Sequence, residues 1–120
     1  MAIHNELGKK GEELAVEFLL KNNYQILERN WRFKKAEVDI IALKNNVLAV
    51  IEVKTRSTDY FGNPQDFVNP KKIKLLVEAI DYYITTKNVD VDVRFDIVAI
   101  LKQQQQHYKI EHLKDAFLYF

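Results

Sequence analysis

The chain contains no cysteine, which excludes disulfide bonds and thiolate metal sites and is typical of a reducing compartment. It has no apolar run as long as a membrane span, so we expect no contact with the bilayer interior. Its first residues form no apolar signal core, which predicts a cytoplasmic protein. The net charge is only +1, so overall charge does not indicate a nucleic-acid partner.

The length and composition bound the architecture. The chain has 120 residues, of which 48% are hydrophobic and 29% are charged, an ordinary globular balance. This length suffices for one domain with its own core and leaves no room for two. We therefore predict a single domain over residues 1–120.

Two apolar runs carry charged residues at alternating positions. Glu37 and Asp39 lie in the first run, and Glu52, Lys54 and Arg56 lie in the second. Because side chains alternate along a strand, each set is predicted to share one face of its strand. Burying a charge is costly unless it is paired or bound to a metal. These residues are therefore candidates for a functional site.

A hairpin would bring the two runs together. Asn45 and Asn46 tolerate the positive φ of a tight turn, and a two-residue turn there pairs residues whose numbers sum to 91. Asp39 would then face Glu52, with Cβ atoms about 4.5–5.5 Å apart. Two carboxylates that close repel unless a cation lies between them. Lys54 is one candidate cation, and a divalent ion such as Mg²⁺ is the other.

An ordinary salt-bridged face is the alternative interpretation of the same pattern. In that version Glu37 pairs with Lys54 and Asp39 is exposed, and a Glu-x-Lys triplet on its own is common. The almost continuous apolar run over 47–53 instead predicts a strand covered on both faces. The carboxylates would then lie at the rim of a core.

The first helix is predicted over residues 5–21 from the helical spacing of its apolar residues. Gly8 and Gly11 are poor helix formers, and we expect them to permit a close approach of the backbone to the sheet or to a ligand. Glu12 borders the apolar face. If a helix carboxylate joins the strand acids, it is Glu12, although a solvated surface glutamate is the simpler interpretation.

The second helix is predicted to begin at Asn69-Pro70, since Asn is a good N-cap and Pro is favoured at the first helical position. Lys71, Lys72 and Lys74 crowd its first turn, where the helix dipole disfavours cations. An anionic ligand there would offset this local penalty.

The rest of the chain predicts strands over 24–32, 91–101 and, more weakly, 107–113. Trp31 is assigned to the core because large apolar residues are usually packed. Asp96 is interpreted as a charge at the rim of its strand, and His107 and His112 as surface residues.

The element order and these residues together resemble the PD-(D/E)xK nuclease superfamily, which has the restriction-endonuclease-like fold. More narrowly, the chain is similar to the YraN-like predicted endonucleases, relatives of archaeal Holliday-junction resolvases. The matching motifs are Gly8-x-x-Gly11-Glu12-x-x-Ala15, Tyr24-x-Ile26-Leu27-x-Arg29-Asn30, Glu37-Val38-Asp39-Ile40-Ile41-Ala42, Glu52-Val53-Lys54-Thr55-Arg56, Gly62-x-Pro64, Val68-x-x-x-Lys72, Arg94-Phe95-Asp96 and Asp115-Ala116-Phe117. One departure is Ala36, where the family usually has glycine.

The resemblance implies an α/β fold with a central mixed β-sheet flanked by helices, in the order αβββαβ. It implies Asp39 and Glu52 as ligands of Mg²⁺ or Mn²⁺, with Lys54 orienting or polarising the attacking water or stabilising the developing phosphate charge. Glu12 would hold a second metal ion, or a water molecule that lies outside the direct ligands of the first ion. The implied activity is metal-dependent cleavage of DNA phosphodiester bonds, with branched DNA in repair or recombination as one substrate form.

The resemblance also implies DNA as the partner, bound through Lys72, Arg56 and Lys35, and a homodimer would suit a two-strand substrate. Two other functions stay open. One is a DNA-binding accessory protein of nuclease fold that does not cut, because a fold does not imply turnover. The other is an interaction module that uses the apolar tail at 116–120 and the Tyr60-Phe61 loop.

Overall fold

A computed structural model describes residues 2–57 and 70–116 of the chain. Its elements are α1 (Ala2–Lys21), β1 (Gln25–Phe33), β2 (Ala36–Lys44), β3 (Val47–Arg56), α2 (Pro70–Lys87), β4 (Asp92–Lys102) and β5 (Tyr108–Leu113). The predicted order αβββαβ is confirmed, and β5 follows it where the weak alternation indicated a last strand. The predicted N-cap Asn69, the Tyr60-Phe61 loop, the Gly62-x-Pro64 motif and the tail beyond residue 116 lie outside the described residues.

The five strands form one mixed sheet in the order β1-β2-β3-β4-β5. Strands β3 and β4 are parallel, and the other neighbouring strands are antiparallel. α2 lies between β3 and β4 along the chain, as the connection between parallel strands requires. This is the α/β architecture of the restriction-endonuclease-like fold, as predicted. Within the described part of the chain, neither helix is long and apolar enough to cross a bilayer.

A hydrophobic core lies on each face of the sheet. The core on the α2 side consists of Val38, Ile41, Leu48, Val50, Leu76, Ile80, Tyr83 and Ile97. The core on the α1 side consists of Ala15, Leu19, Tyr24, Ile40, Ala42, Ala49, Ile51, Val98 and Ile100. β3 therefore contributes to both cores, which confirms that the run over 47–53 is covered on both faces. Trp31 packs against the α2-side core, as predicted, and its ring lies edge-on to Tyr83 with the centroids 5.2 Å apart.

The β2–β3 hairpin has the predicted turn and register. Asn45 and Asn46 both adopt left-handed backbone conformations, with φ of 50° and 65°. The paired residues run from Lys44 opposite Val47 to Ile40 opposite Ile51, and each pair sums to 91. This register brings the acidic residues of β2 and β3 to the same end of the hairpin. A shift of one residue would also exchange the two faces of the strand.

The prediction for Asp96 and His112 is wrong. The Asp96 side chain is fully buried, and the His112 side chain is only 8% exposed. Asp96 Oδ2 lies 2.8 Å from His112 Nε2, Arg94 binds both carboxylate oxygens, and the backbone N–H of Asp115 donates to Oδ1 at 2.9 Å. Arg94 also donates to the hydroxyl of Tyr24 at 2.8 Å. This buried network joins β4 to β5 and to Tyr24, which lies between α1 and β1.

The helix α1 crosses the sheet closely at Gly11. A Cβ atom built on Gly11 would lie 1.9 Å from Thr55 Oγ1 and 3.0 Å from Thr55 Cβ, so only glycine fits this crossing. The predicted close approach is confirmed at Gly11. At Gly8 the same construction meets nothing within 4 Å among the described residues, so the prediction is not supported there.

We expect Gly11→Ala to lower the free energy of unfolding by about 1–3 kcal/mol, the usual effect of overpacking. The matched variant Gly8→Ala should instead be neutral or gain up to about 1 kcal/mol, because alanine is the better helix former. Chemical denaturation of both variants measures the difference. Adding Thr55→Ala to Gly11→Ala should recover part of the loss. Equal effects of the two glycine substitutions would contradict the close crossing.

Candidate functional site

The paired register of β2 and β3 ends just before the two acidic residues. Ile40 and Ile51 form the last pair, and Asp39 and Glu52 are the next residues on their strands. Beyond this pair the contact between the strands is made by a side chain. Asp39 Oδ2 accepts a hydrogen bond of 2.8 Å from the backbone N–H of Val53. The predicted proximity of Asp39 and Glu52 is present, although they are not a hydrogen-bonded cross-strand pair.

The alternation of β2 is interrupted at the same point. Val38 packs in the α2-side core, whereas Ile40 packs in the α1-side core. A regular strand would place both on one face, so the regular alternation expected of a strand is broken between Val38 and Ile40. The interruption falls at Asp39 and accompanies the turn of its side chain toward β3.

One open pocket of about 490 Å³ contains most of the predicted site residues. It is lined by Asp39, Glu52, Lys54, Lys35 and Lys72. Strands β2 and β3 and the first two turns of α2 supply most of its wall. A cavity of about 10 Å³ lies between the strands where pairing stops, and Asp39 and Glu52 border it as well. A space of that size holds about one water molecule.

Glu52 is largely enclosed in the pocket. Its side chain is 15% exposed, and its Oε1 atom accepts a hydrogen bond from the ammonium group of Lys72. Lys54 Nζ lies 4.0 Å from the same oxygen. The other oxygen, Oε2, is buried and has no hydrogen-bond partner among the described residues. An unsatisfied buried carboxylate oxygen is costly, so this atom is poised to accept a ligand.

Burial raises the pKa of Asp39 to about 6. The hydrogen bond from Val53 acts in the opposite direction, and the charges of Glu12, Glu52 and Glu37 add to the increase. Glu12, on α1, does not line the pocket, and among the described residues no contact of its carboxylate with Asp39 or Glu52 is observed. Asp39 thus lies among carboxylates whose mutual repulsion a cation would relieve.

Two predicted residues behave differently. Glu37 lines the pocket, but its carboxylate lies 3.4 Å from Arg32 Nη2 on β1, so the alternative pairing of Glu37 with Lys54 is not formed. Arg56 is exposed at the end of β3, where its Nη1 donates to the Thr55 carbonyl at 2.9 Å. It does not line the pocket.

The comparison with known proteins identifies the family. The model of the uncharacterised protein family UPF0102 matches residues 11–100, which include Glu12, Asp39, Glu52 and Lys54. The chain belongs to the UPF0102 family. Relatives from Flavobacterium psychrophilum and Christiangramia forsetii, both called UPF0102 proteins, are 57% and 62% identical over 120 residues and match over all of both chains. One from Phocaeicola vulgatus is 46% identical over 117 residues, which are 98% of this chain and 96% of the relative. The predicted YraN-like membership is confirmed.

Sequence reasoning assigned Lys72 to DNA and missed its contact with Glu52. A signal was available, because Lys72 lies one helical turn before Leu76, which is buried against the sheet. The hydrogen bond between Asp39 and Val53 had no such signal, since it replaces a backbone bond that a regular ladder would have made.

The donor set of this UPF0102 member fits a divalent cation. Asp39 and Glu52 offer carboxylate oxygens at one end of the hairpin, and Glu52 Oε2 is buried without a protein partner in the described ranges. Mg²⁺ is commonly held by one or two carboxylates and several water molecules. Among residues 2–57 and 70–116 no three acidic or histidine side chains converge as a metal cage. The pocket therefore suits an ion that keeps most of its water.

Proposed function

We propose that this protein is a metal-dependent DNA endonuclease that hydrolyses phosphodiester bonds and uses Mg²⁺ or Mn²⁺. The single observation that carries the proposal is the environment of Glu52. A nearly buried carboxylate with an unpartnered oxygen shares a pocket with Asp39 and with the ammonium groups of Lys54 and Lys72. An ordinary salt-bridged face would satisfy both oxygens, so it does not account for this arrangement.

Each residue has a distinct role in this proposal. Asp39 and Glu52 hold the ion, and the hydrogen bond from Val53 fixes the carboxylate of Asp39 in position. Lys54 lies on the same face of β3 as Glu52, where its ammonium group can hold the attacking water or stabilise charge that develops on the phosphate. Glu12, on α1, is proposed to hold a second metal ion or a water molecule. The chemistry that the ion supplies when bound is Lewis-acid activation of water and neutralisation of phosphate charge.

The proposed DNA contacts surround the pocket. Lys35 and Lys72 line its wall, and Arg56 lies exposed at the end of β3. Positive groups on either side of an acidic metal site can hold the phosphates that flank the scissile bond. Branched DNA is one candidate substrate form, and a homodimer would place two such pockets on the two strands of a junction.

Cleavage of labelled junction, flap and linear DNA, with and without Mg²⁺ or Mn²⁺, tests the proposal. We expect metal-dependent products from the wild type and a loss of at least about 100-fold in Glu52→Gln, a size typical of removing one group that stabilises a transition state. Glu37→Gln is the matched control, because Glu37 borders the same pocket with a side chain that is 51% exposed. It should cut nearly as well as the wild type. Cleavage that persists in Glu52→Gln would contradict the assignment.

A DNA-binding accessory protein that does not cut is the second candidate. The ion pair between Lys72 and Glu52 favours it, because a cation of the chain already occupies one oxygen of the proposed metal site. This version predicts salt-dependent DNA binding without product, and binding that Lys54→Met leaves unchanged. Product formation in Mg²⁺ by the wild type, together with its loss in Lys54→Met, would exclude it.

A further inference from the structure

Lys72 and Lys54 converge on a single oxygen atom. The ammonium group of Lys72 binds Glu52 Oε1, and Lys54 Nζ lies 4.0 Å from that atom. The Lys72 side chain is 34% exposed, so its ion pair with Glu52 is partly shielded from water. One carboxylate is thus shared by two cations of the chain, before any ion is considered.

The location of Lys72 is not explained by helix stability. It lies in the first turn of α2, and that turn contains no acidic residue. Cations in the first turn of a helix are disfavoured by the helix dipole. The position does allow the Lys72 side chain to reach the pocket, because α2 forms the part of the pocket wall that β2 and β3 do not supply.

We propose that Lys72 holds the place of the metal ion at Glu52 in the metal-free protein and is transferred to a DNA phosphate when the ion binds. This inference rests on the proposed function. A divalent ion on Glu52 would repel an ammonium group on the same carboxylate, so the two cations compete for it. The flexible four-carbon stem of a lysine lets the ammonium group move to a new anionic partner nearby.

The transfer makes metal binding and DNA binding depend on one another. In the metal-free protein the Lys72 ammonium is engaged by Glu52 and contributes little to holding DNA. In the metal-bound protein it is available to a phosphate oxygen. Thermodynamic linkage makes the effect reciprocal. If bound metal increases the affinity for DNA by a given factor through Lys72, bound DNA increases the affinity for the metal by the same factor. A lysine that only binds DNA would contribute equally in both states.

Calorimetric titration of the full chain with Mn²⁺ is the first test. We expect Lys72→Met to bind Mn²⁺ about tenfold more tightly than the wild type, since a charged hydrogen bond that the ion must displace has roughly that strength. Lys72→Gln should change in the same direction. Lys71→Met is the matched control, because Lys71 is the exposed neighbour in the same turn and does not line the pocket. Its affinity should equal that of the wild type.

Fluorescence anisotropy with a short labelled duplex, in EDTA and in Ca²⁺, is the second test. We expect Lys72→Met to lose at least about threefold more DNA affinity in Ca²⁺ than in EDTA, with the salt dependence reduced by about one phosphate contact only when the ion is present. Equal losses in both conditions would overturn the transfer.

The outcomes separate this inference from the proposed function. If the wild type binds Mn²⁺ and Lys72→Met binds it with equal or lower affinity, the transfer is wrong and the metal site stands. If neither the wild type nor any Lys72 variant binds Mn²⁺, both the metal site and the transfer are wrong. Thermal melting of each variant shows that the protein under titration is folded.

Discussion

Asp39→Asn should stabilise the metal-free protein at pH 8 while it abolishes metal binding and DNA cleavage. Burial is the main reason that the pKa of Asp39 is raised to about 6 from its ordinary value of 3.8. The folded state therefore binds a proton more tightly than the unfolded state. Since folding favours the protonated form, ionisation of Asp39 lowers stability progressively as the pH rises from about 4 to about 6, and the loss is complete above that window.

The size of the effect follows from the shift. Each pKa unit corresponds to about 1.4 kcal/mol, so ionised Asp39 costs the metal-free fold at most about 3 kcal/mol. Asparagine removes the charge and keeps a side-chain oxygen that can accept the hydrogen bond from Val53. We expect Tm to rise by about 3–8 °C at pH 8. Below about pH 4 the melting temperatures of wild type and variant should converge.

Thermal melts across a pH series, in EDTA and in Mg²⁺, measure this prediction. In Mg²⁺ the difference in Tm between Asp39→Asn and the wild type should become smaller or change sign, because only the wild type gains stability from ligand binding. Glu37→Gln is the control, since it removes a charge at the rim of the same pocket from an exposed side chain and should shift Tm little. A lower Tm for Asp39→Asn at pH 8 in EDTA would show that the carboxylate serves a structural ion pair rather than a vacant ligand position.

The hairpin was predictable because local rules determine it. Asn45 and Asn46 permit a tight two-residue turn, and that turn pairs residues whose numbers sum to 91, so Asp39 and Glu52 lie at the same end. The start of α2 was equally readable from Pro70. These features depend on residues close in sequence, where backbone geometry leaves few alternatives.

The contacts that were missed join residues far apart in the chain. Asp96 and His112 are 16 residues apart and meet because β4 and β5 pair, and nothing in a single sequence indicates that pairing. The interruption at Asp39 was hidden for another reason. Its apolar neighbours Val38 and Ile40 keep the alternating pattern in sequence while they pack on opposite faces of the sheet. A hydrophobic pattern indicates which residues are buried. It does not indicate where the alternation of faces along a strand is interrupted.

Asp96→Asn is expected to be the most destabilising single substitution considered for this fold. The Asp96 carboxylate is fully buried and accepts hydrogen bonds from Arg94, from the backbone of Asp115 and from His112. Burial raises the pKa of Asp96, but the bonds from His112, Arg94 and the Asp115 N–H outweigh it and hold the pKa below its usual value. The ionised form is therefore part of the folded structure.

An asparagine at position 96 cannot replace that carboxylate. It has one acceptor oxygen, and its NH₂ group would face donors from Arg94 or His112. Breaking a buried charged network by removing one partner costs about 3–5 kcal/mol, so we expect Tm to fall by more than about 10 °C. Asp92→Asn is the matched control, because Asp92 is exposed at the start of the same strand and should have little effect.

The pH dependence provides an independent check on Asp96. A depressed pKa contributes stability above the unfolded value of 3.8, and that contribution is lost as the pH falls through the folded value. The difference in unfolding free energy between wild type and Asp96→Asn should therefore shrink as the pH falls below about 4. Mn²⁺ binding by folded Asp96→Asn, measured well below its Tm, should persist because Asp96 does not line the pocket. A Tm within about 2 °C of the wild type at pH 7 would show that the network adds little stability.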